Sequence, residues 1–120
     1  MGDTCSLWLA EATRYVDDCH AAATCVRASE LALRMNVSQA RLAREFHASV
    51  GICVKDYFMA RQIERAQELL RTTNRGTAEI ATDAGFGTAR SFFRAFRRST
   101  GLSPTEYRQK MSLAEIDLRH

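Results

Sequence analysis

Apolar residues recur along the chain at the three- and four-residue spacing of amphipathic helices, and no segment alternates apolar and polar residues for long. One proline and six glycines leave few points where a helix would be interrupted. From Leu7 to about Ala22 the spacing predicts a helix with a buried stripe of Trp8, Ala12, Tyr15, Val16 and Cys19. The pattern therefore predicts an all-α protein.

The longest uninterrupted pattern lies in the middle of the chain and predicts one helix over about residues 54–72. Asn74 and Gly76, which disfavour helix, follow it and mark its end. Its apolar positions are Tyr57, Phe58, Ile63, Ala66, Leu69 and Leu70. This helix separates two segments that resemble each other.

The two segments are copies of one pattern, which begins at Glu30 in the first and at Glu79 in the second, a shift of 49 residues. One additional residue in the second copy then makes the shift 50. At that shift the matched pairs are Ser38 and Thr88, Leu42 and Phe92, Arg44 and Arg94, Phe46 and Phe96, Gly51 and Gly101, and Tyr57 and Tyr107. Two copies indicate a duplicated unit rather than a solenoid.

Each copy predicts a short helix, a tight turn and a capped second helix. Asn36 and Gly85 occupy the turns, and both residue types tolerate a positive φ. Ser38 and Thr88 follow and can accept hydrogen bonds from the first amides of the next helix. This order is that of a helix-turn-helix motif.

The predicted second helix of the later copy, Thr88–Ser99, separates into two faces at about 100° per residue. Phe92, Phe93 and Phe96 share one side, which we predict to be core. The other side carries Arg90, Ser91, Arg94 and Arg98, with Arg97 near the boundary. Because no acid lies between Ala84 and Pro104, we interpret these arginines as a surface for a polyanion.

The predicted second helix of the earlier copy, Ser38–Ala48, has a milder exposed face. Leu42 and Phe46 would face inward, with Arg41 and Arg44 pointing away from them. Ala40 and Ala43 are too short to read a base except through a thymine methyl group, and Gln39 could contact a phosphate.

Charge supports the same interpretation through its distribution rather than its total. The 120 residues carry a formal net charge of +3, but residues 1–26 are net negative, so the remainder is strongly basic. All basic residues except Lys55 and Lys110 are arginine, whose planar donors suit phosphates and guanine edges. A genome rich in G and C would also produce this arginine bias.

The remaining chemistry predicts no catalysis. Four cysteines without a C-x-x-C pair or an export signal indicate free thiols in a reducing cytoplasm, and the spacing of Cys19, His20 and Cys25 fits no zinc pattern. No nucleophile–base pair, carboxylate pair or phosphate loop is evident. We therefore predict neither an enzyme nor a cofactor.

The segment from Glu79 to Arg108 closely resembles the DNA-binding domain of the AraC/XylS family. The matching elements are Glu79-Ile80-Ala81, Gly85-Phe86, Phe92-Phe93-Arg94-Ala95-Phe96, Gly101-Leu102-Ser103-Pro104 and Tyr107-Arg108. The first half also fits, so the resemblance covers about residues 8–110.

The resemblance implies about seven helices in two homeodomain-like helix-turn-helix subdomains, with one recognition helix of each entering successive major-groove segments of double-stranded DNA. Within a single domain, 1–120, we predict subdomains at about 7–52 and 76–110, a linker helix and a polar tail at 111–120. The predicted DNA-binding residues are Ser38, Gln39, Ala40, Arg41, Arg44, Thr88, Ala89, Arg90, Ser91, Arg94, Arg97 and Arg98.

Some positions depart from the family pattern. The linker helix begins at Gly51-Ile52-Cys53-Val54, where the family commonly has a glycine, a serine and a proline. Arg27 and Gly76 stand where a serine or threonine often caps the first helix of each motif. Each weaker cap costs about 0.5–2 kcal/mol of stability.

The resemblance predicts a bacterial transcription regulator in the cytoplasm, associated with the nucleoid when bound, and an activator rather than a repressor. RNA polymerase is a candidate partner, and the oligomeric state stays open, a monomer being compatible with this domain. The alternatives are a module that binds an acidic protein through its basic face, or a non-specific DNA-binding domain of a larger protein. Both a stand-alone regulator and a piece of a longer one fit these residues.

Overall fold

Seven α-helices follow one another along the chain in the computed structural model, which describes the backbone of residues 3–119 and the side chains of residues 7–112. No strand occurs within the described backbone. The helices are α1 (Asp3–Ala22), α2 (Ala28–Arg34), α3 (Gln39–Val50), α4 (Val54–Thr72), α5 (Thr77–Asp83), α6 (Ala89–Thr100) and α7 (Pro104–Arg119). The prediction of an all-α fold with seven helices is confirmed.

Two hydrophobic cores hold the helices together, and α4 belongs to both. Its first half contributes Val54 and Phe58 to a core with α1, α2 and α3. Its second half contributes Ile63, Ala66, Leu69 and Leu70 to a core with α5 and α6, against which Tyr107 of α7 packs. We call α1–α3 with the start of α4 the first unit, and the rest of α4 with α5–α7 the second unit.

The stripe predicted on α1 is buried: Trp8, Ala12, Tyr15, Val16 and Cys19 are each at most 7% exposed. Tyr15 also joins α1 to the start of α2. Its hydroxyl accepts a hydrogen bond from the Arg27 amide (2.9 Å) and donates one to Glu30 Oε2 (2.8 Å). Burial, as the largest cause, raises the pKa of the Tyr15 hydroxyl. Arg27 supplies no side-chain cap to α2, as predicted, and Tyr15 fixes this helix start instead.

The turns within the two helix-turn-helix motifs have the predicted backbone. Asn36 and Gly85 have φ values of 58° and 87°. Ser38 Oγ then accepts a hydrogen bond from the Arg41 amide, and Thr88 Oγ1 accepts one from the Ser91 amide. These contacts confirm the predicted caps and fix the starts of α3 and α6.

The two copies differ where the helix after each motif begins. Ser103 and Glu106 form a reciprocal cap on α7: the Glu106 amide donates to Ser103 Oγ, and the Ser103 amide donates to Glu106 Oε1, both at 3.1 Å. On α4 the only such contact among the described side chains is from the Asp56 amide to Cys53 Sγ, at 3.4 Å. A thiol is a weak acceptor, so α4 has the weaker start.

Helix α7 returns to the end of α4. Arg108 donates from Nε to the Leu70 carbonyl (3.2 Å) and from Nη2 to the Thr73 carbonyl (3.1 Å), which satisfies acceptors at the last turn of α4. The α7 backbone continues to Arg119, into the polar segment 111–120, of which the side chains beyond residue 112 lie outside the described residues. None of the described helices is both long and apolar enough to cross a bilayer.

Candidate nucleic-acid interface

Helix α6 presents a basic face that its own buried side holds in place. Phe92 and Phe96 are fully buried, with ring centroids 5.6 Å apart. The opposite side consists of four exposed arginines, Arg90, Arg94, Arg97 and Arg98, which we call the arginine face. Among residues 7–112, no carboxylate lies within ion-pair distance of these four. Two carboxylates lie farther away: Asp56 lines a cleft with Arg94 and Arg98, and hydrogen bonds from Ser103, followed by the charge of Arg97, lower the pKa of Glu106. The face therefore has an excess of positive charge without a described ion pair.

Phe93 does not lie in the core, and the prediction that it does is wrong. Its side chain is 38% exposed, while its ring touches only the edge of the core, 5.9 Å from the Phe92 ring. Adjacent residues lie about 100° apart around the helix axis, whereas Phe92 and Phe96 lie only about 40° apart and both point into the core. Phe93 consequently flanks the arginine face at Arg90 and Arg97.

The first turn of α6 carries the predicted residues Thr88, Ala89 and Ser91, all exposed. Two of them bond to each other: Thr88 Oγ1 lies 2.9 Å from Ser91 Oγ and 3.0 Å from the Ser91 amide nitrogen. The hydroxyls of Thr88 and Ser91 thus hold the helix start rigid. Ala89 adds a small apolar surface beside them.

Helix α3 places its predicted residues on one exposed surface too, with less charge. Gln39, Ala40, Arg41 and Arg44 are all exposed, while Ser38 uses its hydroxyl in the cap. Arg44 Nε lies 3.8 Å from Glu45 Oε1, so part of its charge is balanced within the helix. The structure therefore brings all twelve predicted residues to the exposed sides and first turns of α3 and α6, and α6 has the stronger positive charge.

Lys55 is a candidate that the sequence reasoning missed. It lines a cleft of about 570 Å³ between α4 and α6, together with Met59, Arg94 and Arg98. It also lines a cleft of about 360 Å³ against α3, beside Gln39. Lys55 thus stands between the two second helices. The available signal was its position, as one of two lysines, in the first turn of the linker helix.

A third cleft, of about 350 Å³, lies between α1 and α4 and has a polar lining. Asp17, His20, Arg61, Glu64, Arg65 and Glu68 line it. Arg61 is paired with Asp17 and Glu64, each at 3.2 Å. Burial, followed by the positive charges of Arg65 and Arg61, lowers the pKa of His20. Because its charges are mixed and largely paired, this cleft is not a site for a polyanion.

Three of the four cysteines have described side chains. Cys19, Cys25 and Cys53 are free thiols, and Cys19 Sγ donates to the Cys25 carbonyl at 3.7 Å. Within the described part of the chain, no group of three metal-ligating side chains is close enough to hold an ion. The side chain of Cys5 lies outside the described residues.

The chain is similar to known DNA-binding regulators in sequence and in fold. A family model described as a helix-turn-helix domain matches residues 31–110. The arabinose operon regulatory protein of Escherichia coli (strain K12) is 33% identical over 98 residues, which cover 82% of this chain and 33% of that protein. The chain thus spans about a third of the length of such curated relatives.

Solved structures show the same arrangement of helices. The C-terminal domain of the response regulator yesN from Fusobacterium nucleatum has a TM-score of 0.67 at 30% identity, covering 69% of this chain and 81% of that one. The DNA-binding domain of AdpA, solved in complex with a target DNA, has a TM-score of 0.76 at 24% identity, covering 86% and 90%. Two helix-turn-helix motifs on a shared helix, with this match, place the chain in the AraC/XylS family of DNA-binding transcription regulators, which are not enzymes.

Proposed function

We propose that the protein binds double-stranded DNA sequence-specifically, with α3 and α6 in successive major-groove segments on one face of the duplex. The observation that carries the proposal is the arginine face of α6, which is exposed, makes no ion pair among the described residues and is held by two fully buried phenylalanines. Exposed like charges repel one another and the core does not need them, so a polyanionic partner explains their presence.

The residues divide by reach and position. Arg90 and Arg94 lie in the first half of α6 and suit guanine edges, while Arg97 and Arg98, nearer its end, suit phosphates. On α3, Arg44 is the candidate base contact, and Gln39 and Arg41 are candidate phosphate contacts. Ala40 and Ala89 reach at most a thymine methyl group. The hydroxyls of Ser38, Thr88 and Ser91 hold the first turns of α3 and α6 in place through their capping hydrogen bonds.

Lys55 adds a contact between the two grooves. It stands on α4 between α3 and α6. If both helices enter one side of a duplex, we expect the phosphate backbone between the two major-groove segments to pass near this position. We assign it a phosphate contact, which contributes affinity without sequence preference.

Selection from random oligonucleotides with the purified protein tests the proposal. We expect an enriched motif with two sub-sites about 10 base pairs apart, one per motif, and an affinity that falls steeply with salt. The sub-site read by α6 should show the stronger base preference. Equal affinity for all sequences would contradict the proposal and support a non-specific role.

We further propose that the protein activates transcription and contacts RNA polymerase, an inference that rests on the family resemblance. The test is a promoter carrying the selected site at graded distances upstream of the start. Activation at some distances supports the proposal, and repression at every distance contradicts it.

A further inference from the structure

The turn of the second motif is held from outside that motif, unlike the turn of the first. Gly85 is buried, whereas Asn36, at the matching position, is exposed. The Gly85 carbonyl accepts hydrogen bonds from Gln62 Nε2 of α4 (2.9 Å) and from the Val26 amide in the loop between α1 and α2 (3.2 Å). Helix α4 and the loop between α1 and α2 therefore both donate hydrogen bonds to the same carbonyl.

The packing around this turn is too tight for any side chain at position 85. A Cβ on Gly85 would lie 2.8 Å from Val26 Cγ2 and 3.4 Å from Gln62 Nε2. Cys25 Sγ is also close to the neighbouring Gly87, where a Cβ would lie 3.7 Å from the sulfur. The loop that follows α1 thus lies directly against the turn that precedes α6.

Gln62 is the one polar side chain in the buried set of the described residues, at 7% exposed. A buried amide is costly unless its hydrogen bonds are made, so its placement between the two cores calls for a specific partner. That partner is the carbonyl of the turn from which α6 starts. In the first unit, no described hydrogen bond reaches the carbonyl of the exposed Asn36, so the motif itself does not require one.

We propose that Gln62 is a positioning residue: by gripping Gly85 it fixes α6 relative to α3, and so sets the single spacing of sub-sites that the protein accepts. The inference rests on the proposed function and deepens it. Without the grip, α6 samples more orientations, and the fraction with both helices placed for one duplex falls. Binding to a single sub-site needs only one helix and is spared.

The test compares Gln62→Met with Gln67→Met, the same change at a less buried position of α4. Duplexes carry the selected motif with its natural spacing, with one base pair added or removed, or with one sub-site alone. For Gln62→Met we expect about fivefold weaker binding at the natural spacing, from the loss of one hydrogen bond. Discrimination between spacings should shrink, and single-sub-site affinity should stay unchanged. Gln67→Met should match the parent throughout.

Spacing discrimination equal to that of the parent would overturn the inference. If Gln62→Met does not fold, as judged by circular dichroism, Gln62→Leu decides, because it removes the same Nε2 donor with a shorter apolar side chain. An unchanged spacing preference in Gln62→Leu overturns the inference equally. Residual dipolar couplings on the free protein are independent of DNA. For the parent, one alignment tensor should fit the couplings of α3, α4 and α6 together. For the variant, the couplings of α6 should deviate from the tensor that fits α3 and α4. If the parent selects no sequence, the proposed function fails, while the couplings still test the grip.

Discussion

The two units share a backbone plan and differ in what they expose. Matched at a shift of 50 residues, Leu42 and Phe92 are both buried, as are Phe46 and Phe96. On the exposed side Arg44 and Arg94 match, but four other positions differ: α6 has Arg90, Phe93, Arg97 and Arg98 where α3 has Ala40, Ala43, His47 and Ala48. Similar cores with different surfaces indicate that the duplicated fold is a common framework on which α3 and α6 present different exposed side chains.

The largest expected difference between the units concerns the matched pair Arg94 and Arg44. We expect Arg94→Ala to weaken binding to the selected duplex by about 1–3 kcal/mol, because it removes a candidate base contact. Arg44→Ala should cost less, because Glu45 already balances part of its charge. Fluorescence anisotropy at fixed salt measures both, and circular dichroism checks the fold. Equal losses would break the asymmetry that we assign to the two helices.

The next difference concerns the helix starts that follow the motifs. Ser103→Ala should destabilise the protein by about 1 kcal/mol through loss of the reciprocal cap. Cys53→Ala should cost clearly less, because the thiol accepts only a weak hydrogen bond. Urea unfolding followed by circular dichroism measures both changes. A larger loss for Cys53→Ala would show that the start of α4 depends on packing of this side chain rather than on the cap.

A smaller effect on DNA affinity is expected from Lys55, which lies between α3 and α6 and not on either helix. Lys55→Ala should weaken binding to all sequences alike and reduce the slope of log affinity against log salt by about 1. Lys110→Ala is the control, because this exposed lysine lies on α7 and lines neither of the clefts beside α4. A change in sequence preference with Lys55→Ala would mean that Lys55 contacts a base, contrary to its assignment.

The smallest effect concerns His20 on α1, a helix whose buried residues belong to the core of the first unit only. Its folded pKa is lowered from 6.5, so the unfolded chain binds the proton more readily. Stability is then complete above about pH 6.5 and declines as pH falls below it. Asp17, Glu64, Glu68, Arg61 and Arg65 face His20 in the cleft.

His20→Gln should remove this dependence, as measured by urea unfolding between pH 7.5 and 5.5. The range stays above the usual pKa of these carboxyl groups, which limits their contribution. An identical slope in parent and variant would assign the pH dependence to another group.

Local signals explain why so much of the fold was predictable. The turn residues, the caps Ser38 and Thr88, and the periodic stripes of α1 and α4 each act within a few residues of their own position. Phe93 was mispredicted because the three phenylalanines span about 100° of α6, an arc that a helix can bury. Only the packing of neighbouring helices decides that Phe93, at the edge of this arc, stays outside the core. Lys55 and Gln62 were not predicted, for a related reason. The cleft that Lys55 lines and the buried carbonyl that Gln62 contacts are formed by segments distant in the sequence.

Because α4 is built into both cores, the two units are not independent bodies on a tether. Val54 and Phe58 lie in one core and Ile63 to Leu70 in the other, so little of the helix belongs to neither. If either core unfolds, half of α4 loses its packing partners. An isolated helix of about ten residues is only marginally stable in water. We therefore expect the chain to unfold in one cooperative transition, with the α4 amides among the slowest to exchange with deuterium. A regulator assembled in this way presents either both α3 and α6 or neither.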